Sequence, residues 1–177
     1  NKSFKNIKTF KKACEVLDIN YNDVNSVIED IIKFSNSKSA AAMFKLSIIR
    51  RALNLGQELP FIKNSKNPLI YHPFNACVNK NSTLYKGQLN SGKIEIIGKI
   101  KVGKTECNIL GGGTTCCYAN LGFYGTHDEL LGCASKEIAE HFSKYFGMTI
   151  TEAKYSNLED FKIITNVDYF ILAMKDF

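Results

Sequence analysis

The stretch SGKIEIIGKIKVG, residues 91–103, decides the fold class. Ile94, Ile96, Ile100 and Val102 fall on one side, and Lys93, Glu95, Lys99 and Lys101 on the other. This is the period of two that marks a strand with one buried face. Ser91, Gly92 and Gly103 punctuate its ends. Weaker strand patterns at residues 84–89, 107–110, 114–119 and 130–133 give it neighbours. Together they predict an antiparallel sheet.

Upstream the period changes to that of a helix. Ser3 is placed to cap a first helix, with Ile7, Phe10, Cys14 and Leu17 at spacings of three and four. Asn22 and Asp23 suggest a second start, with Val24, Val27, Ile28, Ile31 and Ile32 as the buried stripe. Ser39 is the expected cap of a third helix carrying Met43, Phe44, Ile48, Ala52 and Leu55, closed by Gly56. Downstream, Ser135 caps a helix over 135–146 with Ile138, Ala139, Phe142, Tyr145 and Phe146 inward and Gly147 as its stop. Residues 161–164 and 167–174 read as two short strands around Thr165 and Asn166, with a helix over 167–175 as the alternative.

The expected architecture is a single α+β domain over 1–177: an N-terminal helical layer packed on an antiparallel sheet, with one further core helix. Residues 1–57 are helical, 58–78 a connector, 79–133 mainly β, 134–147 a helix and 148–177 a terminal extension. The connector is marked by Pro60, Pro68 and Pro73, each lacking a backbone donor. Phe61, Tyr71 and Phe74 indicate that it packs down.

Composition sets the bounds. The 177 residues are 45% hydrophobic and 23% charged, the balance of an ordinary globular chain rather than a disordered one. No apolar run reaches the roughly 18–20 residues that span a bilayer, so no membrane partner is expected. The net charge of +6 is uneven. Lys2, Lys5, Lys8, Lys11 and Lys12 crowd the start, and Lys80, Lys86, Lys93, Lys99, Lys101 and Lys104 face only Glu95 across residues 79–104. That asymmetry suits an anionic partner or simply a solvated surface. The six cysteines are expected to be reduced thiols in a bacterial-type cytosol, because a chain of this length needs no staples.

Chemistry-bearing patterns are sparse. Gly111, Gly112 and Gly113, followed by two threonines, offer backbone N–H groups to a phosphate. The GxxxxGK[ST] motif is missing, and a hairpin loop or bulge is the competing reading. Cys107, Cys116, Cys117, Cys133, His127 and His141 lack the close C-x₂₋₄-C pairs of a zinc site, so no metal is expected. Cys133 with His127 and Asp128 is the one thiol–imidazole–carboxylate grouping, and sequence proximity alone does not give it geometry. No catalytic residue and no cofactor is assigned. The candidate nucleic-acid or anion site is Lys93, Lys99, Lys101 and Lys104 with Gly111, Gly112 and Gly113, aided by Tyr85.

Three segments carry a family resemblance: SFKNIKTFKKACEVLDI (3–19), FKLSIIRRALNLGQEL (44–59) and LGCASKEIAEHFSKYF (131–146), with Tyr71-His72-Pro73-Phe74 between the last two. Their order resembles small uncharacterised proteins of Bacteroides phages, crAss-like phages among them. Those proteins pair an ALN-x-G helix end with an aromatic connector and a closing helix. This chain departs in having no tryptophan and in extending past residue 147. The resemblance carries no activity. It implies a phage protein, in the host bacterial cytoplasm or the virion. The leading expectation is a non-enzymatic protein acting by association with a phage or host protein, with a homo-oligomer as one form of it. The alternative is a nucleic-acid or nucleotide-binding module using the basic sheet face.

Overall fold

The computed structural model describes residues 3–57, 69–118 and 131–164, and most of its helices begin at a side-chain acceptor. Ser3 caps only a 3₁₀ turn, Phe4–Asn6. Thr9 Oγ1 accepts the Lys12 N–H and starts α1, Phe10–Val16. The expected first helix is therefore broken, because Thr9 provides a cap inside it. Asn20 Oδ1 accepts from Asn22 and Asp23 and starts α2, Tyr21–Ser35. Left-handed Asn36 closes α2, and Ser37 Oγ accepts the Ala40 N–H to start α3, Lys38–Leu53. Ser39, the expected cap, instead donates its hydroxyl to the Ala153 carbonyl. These acceptors satisfy N–H groups that have no partner within the helix.

The sheet follows: β1 Leu69–Asn79, the short helix α4 Lys86–Asn90, β2 Glu95–Val102 and β3 Thr105–Tyr118. Helix α5, Lys136–Tyr155, is capped by Ser135 Oγ, and β4 is Lys162–Ile163. The sheet order is β1-β3-β2-β4, and every neighbouring pair is antiparallel. The fold is α+β, as the sequence predicts.

Several expectations are corrected. Half of the predicted connector is strand, since Leu69–Asn79 pairs along β3. Pro73 is tolerated because β1 lies at the sheet edge. Two residues earlier, Tyr71 directs both its N–H and its carbonyl off the sheet to Cys133, so Pro73 lacks a donor only on that outer side. Part of the predicted strand at 84–89 is α4. Gly147 does not stop the last helix, which runs for 20 residues. The described part of the terminal extension belongs to the core: Met148 and Ile150 are buried, and β4 pairs with β2. Pro60, Phe61 and Pro68, and the elements predicted at 167–175, lie outside the described residues.

Two irregularities shape the sheet. Pairing passes from Ile96 opposite Leu110 to Gly98 opposite Ile109, leaving Ile97 as an extra residue in β2. This bulge changes the parity of the strand. Ile97 and Ile100 are buried, whereas Ile96, predicted inward, is 39% exposed. On the other side of β3, Phe74 faces Gly113 and Ala76 faces Leu110, so Asn75 stands against two residues, Gly111 and Gly112.

Helix α5 lies over both bulges. Its Phe142, Phe146 and Ile150 join Ile7, Phe10, Leu46, Ile49 and Leu53 in a core shared with α1 and α3. Its Met148 joins Ile97, Ile100 and Ile109 in a second core against the sheet. Contact is close enough that glycine is required. A Cβ on Gly147 would stand 2.2 Å from Asn75 Nδ2 and 2.3 Å from Ile97 Cδ1. Replacing Gly147 with alanine forces Ile97 or Asn75 out of place, and overpacking of this kind costs about 1–3 kcal/mol. Gly147→Ala is expected to lower the urea midpoint by a corresponding amount, despite alanine's better helix propensity. A midpoint unchanged or raised in equilibrium unfolding would show that the helix is not seated this closely.

Candidate functional site

The four lysines predicted to form one site lie in three places. Lys99 and Lys101 flank buried Ile100 and so project from the sheet face opposite α5. Lys104 is exposed on the β2–β3 turn beside Gly103, whose φ is 57°. Lys93 precedes β2 at the other end, about 30 Å of strand away from Lys104. The basic sheet face also contains an acid. Glu106 is opposite Lys101 in the ladder and its Oε2 is 2.9 Å from Lys80 Nζ. The hydrogen bond and charge of Lys80 hold its carboxyl below the usual range, with smaller help from Lys101 and Lys99.

The three glycines are strand, not a phosphate loop. Gly111 and Gly113 lie in the ladders, and the Gly112 N–H donates to Ser143 Oγ at 2.9 Å. Gly112 and Gly113 nevertheless share a surface with Lys93. Two adjoining hollows meet at Glu140, with volumes of about 380 and 400 Å³. The first lies between the N-terminal turn and α5, lined by Phe4, Lys5, Lys8, His141, Lys144 and Tyr145 among others. The second lies between α4, the sheet and α5, lined by Phe74, Tyr85, Lys93, Thr114, Thr115 and Lys136 among others.

Each hollow pairs aromatic rings with cations. In the first, His141 contacts Phe4 edge-on at 5.5 Å and Tyr145 at 4.5 Å. Lys8 Nζ stands 5.2 Å from the Tyr145 ring centroid. In the second, Tyr85 packs edge-on against Phe74 at 5.6 Å. Tyr85 is held at φ 64°, a left-handed conformation uncommon for a side chain of this size. The acids present are largely engaged. Glu95 is 2.8 Å from Lys144, and Glu140 is 3.6 Å from Lys136. The Glu137 carboxylate is held below its usual range mainly by its own backbone N–H and the Ser135 hydroxyl. Lys5, Lys8 and Lys93 form no ion pair among the described residues.

The sequence reading missed most of this groove. Lys5 and Lys8 enter the sequence pattern only as part of a basic start, and Lys136, Glu140 and Lys144 are not singled out there. The available signal was their i, i+3 and i, i+4 spacing next to aromatic residues. Only the packing of the N-terminal turn on α5 joins them, through His141 Nε2 at 2.7 Å from the Ile7 carbonyl.

Neither Cys133 nor Cys77 is poised for nucleophilic work. Cys133 is fully buried, donates to the Leu131 carbonyl at 3.3 Å, and burial pushes its thiol up to about 12. Burial, and secondarily the neighbouring Cys107, pushes Cys77 up to about 11. A thiol that stays protonated is a poor nucleophile. His127 and Asp128 lie outside the described residues, and among those described no three of His, Cys, Asp and Glu gather as metal ligands. No described helix is long and apolar enough to cross a membrane.

A second surface lies on α2. Val24 and Ile28 are buried as predicted, but Val27 is 45% exposed, Ile32 36% and Phe34 80%. Helix α2 packs on α3 and, at one end, on α1. Its expected stripe is therefore wider than the core that receives it. Beside Ile32 is a hollow of about 240 Å³ reaching buried Lys45 and Glu152. Burial raises the Glu152 carboxyl, opposed by the charges of Lys45 and Lys38.

No family model, curated protein or solved structure matches the chain.

His141 gives the groove a pH dependence. Burial is the largest cause lowering its pKa, with Lys8 and Lys144 adding to it and the Ile7 hydrogen bond opposing it. The unfolded chain therefore binds a proton more readily than the folded one. The neutral ring's contribution is complete above about pH 6.5 and is lost as pH falls through the lower folded pKa. Glutamine at 141 retains a donor for the Ile7 carbonyl and cannot titrate. His141→Gln is expected to reduce the loss of melting temperature between pH 7.5 and 5.5. Equal losses in both proteins would show that His141 titrates as it does in the unfolded chain.

Proposed function

We propose that this protein works by association with a protein partner, in a phage particle or on a host protein, and that α2 is the element that docks. The phage setting rests on the resemblance of the three sequence segments. The observation that carries the reading is the exposure of Val27 and Phe34 on α2. They are seven residues apart and so share one helical face, with half-buried Ile31 between them. Asp23 and Asp30, also seven apart and exposed, border that face. An amphipathic helix of this kind lays its i, i+4 and i+7 side chains into an apolar groove on its partner. The bordering carboxylates suit a groove with a basic rim.

A second copy is the less favoured occupant. An antiparallel pairing of α2 with itself brings like carboxylates together across the two-fold axis. The arrangement also explains why α2 remains helical without a full core: Asn20 caps its start, and left-handed Asn36 ends it.

The double variant Val27→Ser, Phe34→Ser tests this. Serine has a helix propensity close to those of valine and phenylalanine. Both side chains are substantially exposed, so folding stability should change by no more than about 1 kcal/mol. Wild type and variant are compared by affinity capture from infected host cells and from purified particles, with light scattering of each alone. The expected result is one phage or host protein retained by the wild type and lost by the variant, with both monomeric. Identical captured proteins for the two would remove α2 as the docking element. Absence from particles together with no captured host protein would remove the association reading itself.

A further inference from the structure

We infer that the groove on either side of Glu140 is a binding site for single-stranded nucleic acid, distinct from the α2 surface and from the basic sheet face. Proteins that hold single strands combine cations that follow the phosphates with aromatic rings on which bases stack. The groove brings both together in two successive hollows. Phe4, His141 and Tyr145 lie with Lys5 and Lys8 in the first, and Phe74 and Tyr85 with Lys93 in the second.

The charges point to an anion of extended shape. Five lysines line the two hollows: Lys5, Lys8, Lys144, Lys93 and Lys136. Lys144 and Lys136 are matched by Glu95 and Glu140, and Glu137 is held by the start of α5. Lys5 and Lys8 at one end and Lys93 at the other have no ion pair among the described residues. A single compact phosphate would need one cluster of cations. Here the unmatched cations are divided, with the Glu140 carboxylate between them, which suits a ligand whose phosphates are spaced along a chain. Carboxylate oxygens at the centre accept hydrogen bonds from base N–H groups, including the ring N3–H of thymine and uracil.

The rings are held by structure instead of lying loose on the surface. Tyr85 is fixed in a left-handed conformation against Phe74. Tyr145 is fixed by His141, which is tied to the Ile7 carbonyl. Lys8 rests over the Tyr145 ring, a contact that a phosphate can outcompete because exposed cation–π pairs are weak. Gly112 lines the first hollow, where a Cβ would meet nothing nearer than 4.0 Å, and Gly113 lines the second.

The test is fluorescence anisotropy with labelled ten-nucleotide oligo-dT and oligo-U at 50 and 200 mM salt. The expected result for the wild type is binding that weakens as salt rises. Lys5→Glu with Lys8→Glu should weaken it at least tenfold at low salt and flatten the salt dependence. Tyr85→Ala should weaken it on the order of tenfold, with Tyr85→Phe retaining affinity because the ring is kept. Lys99→Glu with Lys101→Glu should have only a small effect. Circular dichroism of each variant confirms folding. Absence of binding by folded wild type at 50 mM salt would overturn the proposal. So would affinity that falls with the Lys99 and Lys101 changes but not with those of the groove. Inorganic polyphosphate that binds as tightly as the oligonucleotides, with Tyr85→Ala neutral, would overturn it in favour of a generic anion surface. None of these outcomes depends on the α2 variant, so either proposal can fail alone.

Discussion

Everything in this fold depends on how closely α5 approaches the sheet. Gly147 on the helix and Gly98 and Gly111 on the strands remove the Cβ atoms that would hold the layers apart. Polar groups then fix the contact. Asn75 Nδ2 donates to the carbonyls of Leu110 and Ser143. Ser143 Oγ donates to the Phe74 carbonyl and accepts the Gly112 N–H. The sheet groups engaged, those of Phe74, Leu110 and Gly112, lie at the irregularity between β1 and β3. A bulge leaves backbone groups unpaired, and burying them unpaired would cost on the order of 1–3 kcal/mol each. The irregularities of the sheet and the seat of the helix therefore require each other.

With α5 fixed, the remaining helices follow from what it still exposes. Its Phe142, Phe146 and Ile150 form an apolar face that α3 and α1 cover. The segment before α5 is held from α3: Arg50 Nε donates to the Gly132 carbonyl at 2.9 Å, and Asn54 Oδ1 accepts the Ala134 N–H at 2.8 Å. Two of the three segments quoted from the sequence thus meet in space, one at Arg50 and Asn54 and the other at Gly132 and Ala134. Helix α2 comes last and finds too little surface, which is why its wide apolar stripe is only partly buried.

The helices were legible because their signals are local. Ser135, Gly56, and the stripe of Ile7, Phe10 and Cys14 each act within a few residues, whereas Ser3 and Ser39 lost the capping role to Thr9 and Ser37 nearby. Errors arose where one local signal has two long-range causes. Gly147 reads as a helix stop, but glycine also marks close approach, and only the sheet beneath it distinguishes these. Pro73 reads as a break until its edge position is known. Ile96 and Ile97 could not be told apart, because the bulge that selects Ile97 is set by the count of residues on β3. The candidate site was harder still. Lys93, Gly112 and Gly113 are named from the sequence and line the hollows, but other lining residues come from the first eight residues and from α5, and no periodicity connects segments that far apart.

The groove and the hollow beside α2 lie toward opposite ends of α5. The groove is lined by Glu137, Glu140, His141, Lys144 and Tyr145, and the hollow beside α2 by Glu152. From Glu140 to Glu152 the helix rises about 18 Å. Because α5 is clamped to the sheet along its length, the groove and that hollow are held at a fixed separation. A partner gripping α2 would leave the groove exposed, so the two sites are expected to bind without competition. Were both proposals to hold, the protein would act as an adaptor between a protein partner and a phosphate chain. Rigidity suits such a role, since an adaptor sets the distance between the things it joins.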